Sequence, residues 1–186
     1  MQRRQFLKIG LASSVIGLSS ASAVWLAQGN DPKSLTLDAL FSRLHMFANL
    51  PAEALANLSI GQWNAAQIFT HCAQSVEFSM SGYPQHKSAV FKQTIGTLAF
   101  SAFAIKGAMT HNLTEAIPAA PVLEPNADAH QALARLVTSL TDFSQYQGQL
   151  APHFAYGELT KQEYELAHIL HFYNHLDSFK PLSNPV

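Results

Sequence analysis

Apolar residues recur every three or four positions along most of this chain and seldom alternate. Leu37, Leu40, Leu44 and Phe47 repeat in this way over residues 36–49 and stop before Pro51, which predicts a helix. Ser59-Ile60-Gly61-Gln62 reads as a capping box that opens a second helix running to about Met80, closed by Ser81-Gly82-Tyr83-Pro84. Residues 88–109 place Phe91, Ile95, Leu98, Ala102 and Ile105 on one helical face, while Gly96 and Gly107 either weaken that helix or permit close packing. The prolines at 118, 121 and 125 exclude a regular helix and predict a loop. Asn126 is the expected cap of the next helix, in which Leu133, Leu136, Val137, Leu140 and Phe143 repeat until Gly148. After a second loop over residues 151–159, Thr160 and Glu163 form a capping box for the last helix. Five helical segments with few strand signals predict an all-α antiparallel bundle with long loops.

The first residues break this pattern. Gln2-Arg3-Arg4-Gln5-Phe6-Leu7-Lys8 precedes an uncharged, largely apolar run from Ile9 to Leu26, the layout of an export signal. Its Arg-Arg-x-Phe-Leu-Lys form resembles the twin-arginine type, and Ala21 and Ala23 supply an Ala-x-Ala cleavage site before Val24. Residues 1–23 are therefore expected as a signal peptide, 24–35 as a flexible linker, 36–180 as the helical domain and 181–186 as a tail. The expected location is the periplasm or another exported compartment. The alternative reading is an uncleaved N-terminal membrane anchor.

Removal of the leader leaves about 160 residues, enough for one domain with a sizeable core. Charged residues are 12% of the chain and the net charge is −1, so no basic face for nucleic acid is expected. Cys72 is the single cysteine, which rules out an internal disulfide, and its place in a helical segment reads as a small buried apolar residue.

The chemistry lies in the histidines. On the last helix His168, His171 and His175 fall within an arc of about 60° and share their side with aromatic residues, so they face inward. His171 and His175, four residues apart, project from one face one turn apart and can converge on one ion. Buried imidazoles need partners, and either a metal or a hydrogen-bonded core network supplies them. His71 lies on a helix edge with Asn64, Gln67, Gln74 and Ser75, which suits a cleft wall or a solvated surface equally. His45, His86, His111 and His130 carry no helpful spacing and read as ordinary surface or core residues. His153, Tyr156 and Glu158 in the second loop are candidate pocket residues.

Trp63 with Ala66-Gln67-Ile68-Phe69-Thr70-His71, then Ile117-Pro118 and Pro121, then residues 153–160, and finally His168, His171 and His175, together resemble domain of unknown function 1569. That group is similar to the DinB/YfiT-like metalloenzymes, and the resemblance covers about residues 36 to 180. It implies a DinB-like antiparallel four-helix bundle, here with an additional helical segment. It also implies a divalent metal, zinc, nickel or iron, held by His71, His171 and His175. His168 would then be a supporting or alternative ligand, and His168 with His171 is the alternative pair. Asn174 stands where the family pattern often has another histidine.

The expected function is that of an exported, metal-binding protein, with metal-dependent thiol transfer or hydrolysis as the implied chemistry. No Glu follows His171, so the protease motif with its own general base is absent. The expected partners are a small-molecule substrate, the twin-arginine export machinery and a second copy of the chain. The alternative is a non-enzymatic exported bundle that binds a ligand or partner, with a structural metal or a histidine network.

Overall fold

The computed structural model describes residues 30–181. The expected signal peptide, its cleavage site and residues 182–186 of the tail lie outside the described residues. Within them the protein is helical, with isolated bridges at Ser59–Phe179 and His153–Gly157 and no strand.

Helix α1 (Leu37–Ala48) begins where the Thr36 hydroxyl accepts the Ala39 N–H, and it buries Leu40, Leu44 and Phe47. Helix α2 (Ala52–Ala56) buries Leu55 and is too short for its period to be read from sequence. Helix α3 (Ala65–Ser81) starts later than expected: the cap is Asn64, whose side chain and that of Gln67 form a reciprocal capping box. Ser59 does not cap because its segment pairs elsewhere. Its hydroxyl donates to the Trp63 carbonyl, and the Ile60 N–H donates to the Ser178 carbonyl at 2.7 Å.

Helix α4 (89–106) consists of Ala89–Phe91, a π-helical turn over Lys92–Gly96 and Thr97–Lys106. In the widened turn the Thr97 hydroxyl donates to the Lys92 carbonyl. Gly96 is required there by close packing, since a Cβ would lie 1.9 Å from the Ala155 carbonyl oxygen. Gly107 ends the helix at φ 67°, and its carbonyl accepts from both the backbone and side-chain amides of Asn30. That contact, with the Tyr173 hydroxyl on the Ser34 carbonyl, ties down part of the stretch expected as linker. The apolar stripe on α4 points outward: Ile95, Leu98 and Ile105 are exposed, and Phe100 is the buried apolar residue.

Helix α5 (Ala129–Gln145) is capped by Asp128, two residues beyond the expected Asn126. Helix α6 (Lys161–Leu176) starts at the expected Thr160/Glu163 capping box. The most extensive packing is between α3 and α5, through Ile68, Phe69, Leu133, Leu136, Leu140 and Phe143. Phe47, Phe69, Phe172 and Phe179 join α1, α3, α6 and the following segment, with centroid separations of 5.5–6.5 Å. The segment after α6 is fastened to residues 58–60, where the Lys180 N–H donates to the Leu58 carbonyl. This fastening holds the start of α3 beside the end of α6, where the histidines lie.

Candidate metal centre

Three imidazoles from two helices meet at one point. His71 Nε2 on α3 lies 3.1 Å from His171 Nε2 on α6, and His175 Nε2 lies 3.2 Å from the same atom. All three nitrogens fall within 4.8 Å of one another. Hydrogen bonding satisfies this convergence poorly, because each ring nitrogen has one in-plane site, either a proton or a lone pair. His171 Nε2 can therefore serve one neighbour well and not both. Nitrogens bound at about 2.0–2.1 Å to one tetrahedral ion stand about 3.3 Å apart, so the approaches of His71 and His175 to His171 fit a shared cation.

The helix edge that carries His71 is a cleft wall. Asn64, Gln67 and Gln74 donate to the Pro125, Leu123 and Pro121 carbonyls at 2.7, 3.1 and 3.0 Å, strapping the proline-rich loop along α3. His71 stands in the same row, inside the strap. Trp63 covers the other side: its ring is 5.0 Å from that of His71 and stacks on His175 at 6.0 Å and 17°. His71 Nδ1 and His175 Nδ1 are buried without a protein partner, so the indole face, rather than a carboxylate, holds these two rings.

Burial keeps the cluster neutral. Desolvation, reinforced by His111, lowers His71 from 6.5 to about 3, and desolvation with His71 and His111 lowers His175 to about 2. His171 is held well below its ordinary value, first by desolvation and then by His71 and His175. Neutral imidazole is the metal-binding form, so no ligand need lose a proton at neutral pH.

His171 faces a cavity of about 250 Å³, whose wall also includes His71, His111, His153, Tyr156 and His168. His168, one turn before the cluster, contacts the Ser79 hydroxyl at 3.2 Å and packs edge-on against Phe143. That side chain supports the α3–α5–α6 packing and is not one of the converging ligands. His153 Nδ1 accepts the N–H groups of Ala155 and Tyr156, both at 3.1 Å, and its ring stacks on Tyr156 at 4.3 Å. It shapes the loop that walls the cavity. Burial raises Tyr156 to about 12, so its hydroxyl stays protonated at neutral pH. Glu158 is exposed and lies outside the cavity wall. Cys72 is buried, and desolvation pushes its thiol up, away from nucleophilic use.

Sequence reasoning passed over His111. It sits on the loop after α4, with its ring centroid 5.0 Å from His171 and 5.1 Å from His175. No helical spacing ties it to the other histidines, so no periodic signal could have found it.

The family model described as "Protein of unknown function (DUF1569)" matches residues 29–182. Comparison with curated proteins and with solved structures gave no match.

Proposed function

The chain belongs to the DUF1569 family, and on that premise we propose that it is a metal-binding protein of the DinB-like kind. In this reading His71, His171 and His175 hold one divalent ion at the floor of a small-molecule cavity. The observation that carries it is the approach of two Nε2 atoms to a third at 3.1 and 3.2 Å, a geometry that hydrogen bonds leave half unsatisfied. Imidazole donors suit zinc, nickel or iron. The ion would supply Lewis-acid activation of an oxygen or sulfur donor on the substrate.

The protein's own residues restrict that substrate. The cavity of about 250 Å³ is at the small end for a ligand site and does not suit a folded polypeptide. Phe91, Met109 and Phe154 give it apolar walls, with Tyr156 as a protonated hydrogen-bond donor. Lys87 and Glu115, both exposed, stand at its edge and add one charge of each sign. This surface fits a small, partly apolar molecule with a polar end, for which hydrolysis or thiol transfer is the reaction class.

Metal analysis of protein purified without chelator tests the reading. One equivalent of a transition metal in the wild type, lost in His171→Ala with the fold retained, supports a functional site. Unfolding of that variant would favour the second reading, a structural ion in a non-enzymatic bundle, for which the burial of His71 and His175 beneath Trp63 speaks. Absence of metal in the wild type would end both. A metal-loaded sample is then screened against thiol-conjugation and hydrolytic substrates.

Export by the twin-arginine route belongs to the same proposal and rests on Arg3, Arg4 and the apolar run. Among the described residues no helix is long and apolar enough to cross a membrane. Mass analysis of protein from the producing cell tests export: a mature chain starting at Val24 supports it, and an intact Met1 in the cytosol opposes it.

A further inference from the structure

We propose that His111 is a fourth nitrogen ligand, delivered by the loop after α4, which closes the coordination sphere on the side facing the cavity. This rests on the three-histidine reading and extends it. Four observations converge. The His111 Nδ1 lies 2.8 Å from the Asn112 carbonyl oxygen, which only accepts, so that nitrogen carries the proton and Nε2 carries the lone pair. His111 Nε2 is buried and has no hydrogen-bond partner. Five ring pairs within the four histidines have centroids 4.9–5.1 Å apart: 71–171, 71–175, 171–175, 111–171 and 111–175. Imidazoles bound tetrahedrally at about 2.0–2.1 Å place their centroids about 5.2 Å apart, and His111 keeps that spacing to His171 and His175. The Asn112 side chain meanwhile accepts from the Thr114 N–H and hydroxyl, which fixes the turn that presents His111.

The position of His111 gives the ligand a further role. It lines the cavity together with His71 and His171, so its ring borders the space from which a substrate would approach the ion. A substrate donor that reaches the ion takes the place of His111, and the loop ligand acts as a gate. The other three imidazoles are anchored on α3 and α6, whereas His111 has no helix to hold it. It is the one of the four that can leave without disturbing the core.

Cobalt(II) is the probe, added to full-length, chelator-treated wild type and to His111→Ala and His111→Gln. Chelator competition and the visible d–d bands are read in the absence and presence of azide. Both variants are expected to keep one equivalent of cobalt, to bind it about tenfold or more weakly, and to show azide-dependent band shifts at concentrations that leave the wild type unchanged. Their melting temperatures without metal should match the wild type, which separates ligand loss from misfolding. Equal affinity and equal azide response in all three proteins would overturn the His111 assignment while leaving the three-histidine site standing. Failure of the wild type itself to bind cobalt would overturn both.

Discussion

The indole of Trp63 stacks on the imidazole of His175 at 6.0 Å and 17°, and it lies 5.0 Å from His71 as well. One aromatic side chain, placed just before the N-terminus of α3, thus packs against candidate ligands from both helices. Trp63 is a reporter as well as a wall. The chain has two tryptophans, Trp25 and Trp63; with Trp25→Phe in place, stoichiometric nickel(II) or copper(II) is expected to quench most of the remaining indole emission, and His171→Ala should abolish the response. Emission that ignores the metal would show that no ion binds beside this ring.

His168 and His171, one turn apart, make different contacts: His168 meets Ser79 and Phe143, and His171 meets His71 and His175. His168→Ala should retain one equivalent of metal while removing the Ser79 contact and the packing on Phe143. The expected loss of stability is about 2–4 kcal/mol, from cavity formation, while the Ser79 hydroxyl keeps its bond to the Val76 carbonyl. Denaturant melts and metal analysis of the same sample check both parts. Loss of metal from a folded His168→Ala protein would move the ligand pair to His168 and His171.

Acid should destabilise the chelated protein. Burial holds His71 and His168 at about 3 and His175 at about 2, against 6.5 in an open chain. The unfolded state therefore binds more protons below pH 6.5, so stability is complete above that value and falls as pH drops toward the folded values. Each such imidazole removes about 1.4 kcal/mol per pH unit over that window. The denaturant midpoint is expected to fall steeply between pH of about 6.5 and 5. A midpoint constant over this range would mean that these rings are not buried neutral.

Gly96 meets the loop that shapes the cavity. A methyl group there would lie 1.9 Å from the Ala155 carbonyl oxygen, so Gly96→Ala must push residues 151–159 away from α4. The expected cost is about 1–3 kcal/mol, with faster amide exchange at Ala155 and Tyr156, whose N–H groups bond to His153. Unchanged melting and exchange would mean that the loop does not seat on α4 as described.

The helices were largely legible because their apolar periods are strong and the Thr160/Glu163 box marks an unambiguous start. The start of α3 is ambiguous in the sequence because Ser59-x-x-Gln62 and Asn64-x-x-Gln67 both satisfy a capping pattern, and pairing of residues 58–60 with residues 178–180 decides between them. Periodicity also identified α4 without showing that Ile95, Leu98 and Ile105 face outward, since a stripe does not reveal what covers it. The His171/His175 pair followed from helical geometry, and His71 entered through family resemblance. His111 was not legible, because a loop imparts no spacing and only the folded chain places that ring beside the others.

The central claim is that the three Nε2 atoms share one ion. A crystal of the metal-loaded protein, with anomalous scattering recorded at the absorption edge of the bound metal, measures this directly. The expected result is one strong anomalous peak about 2.0–2.2 Å from Nε2 of each of His71, His171 and His175. A well-ordered crystal in which those three rings keep their places and the peak lies elsewhere, or is missing, would contradict the account.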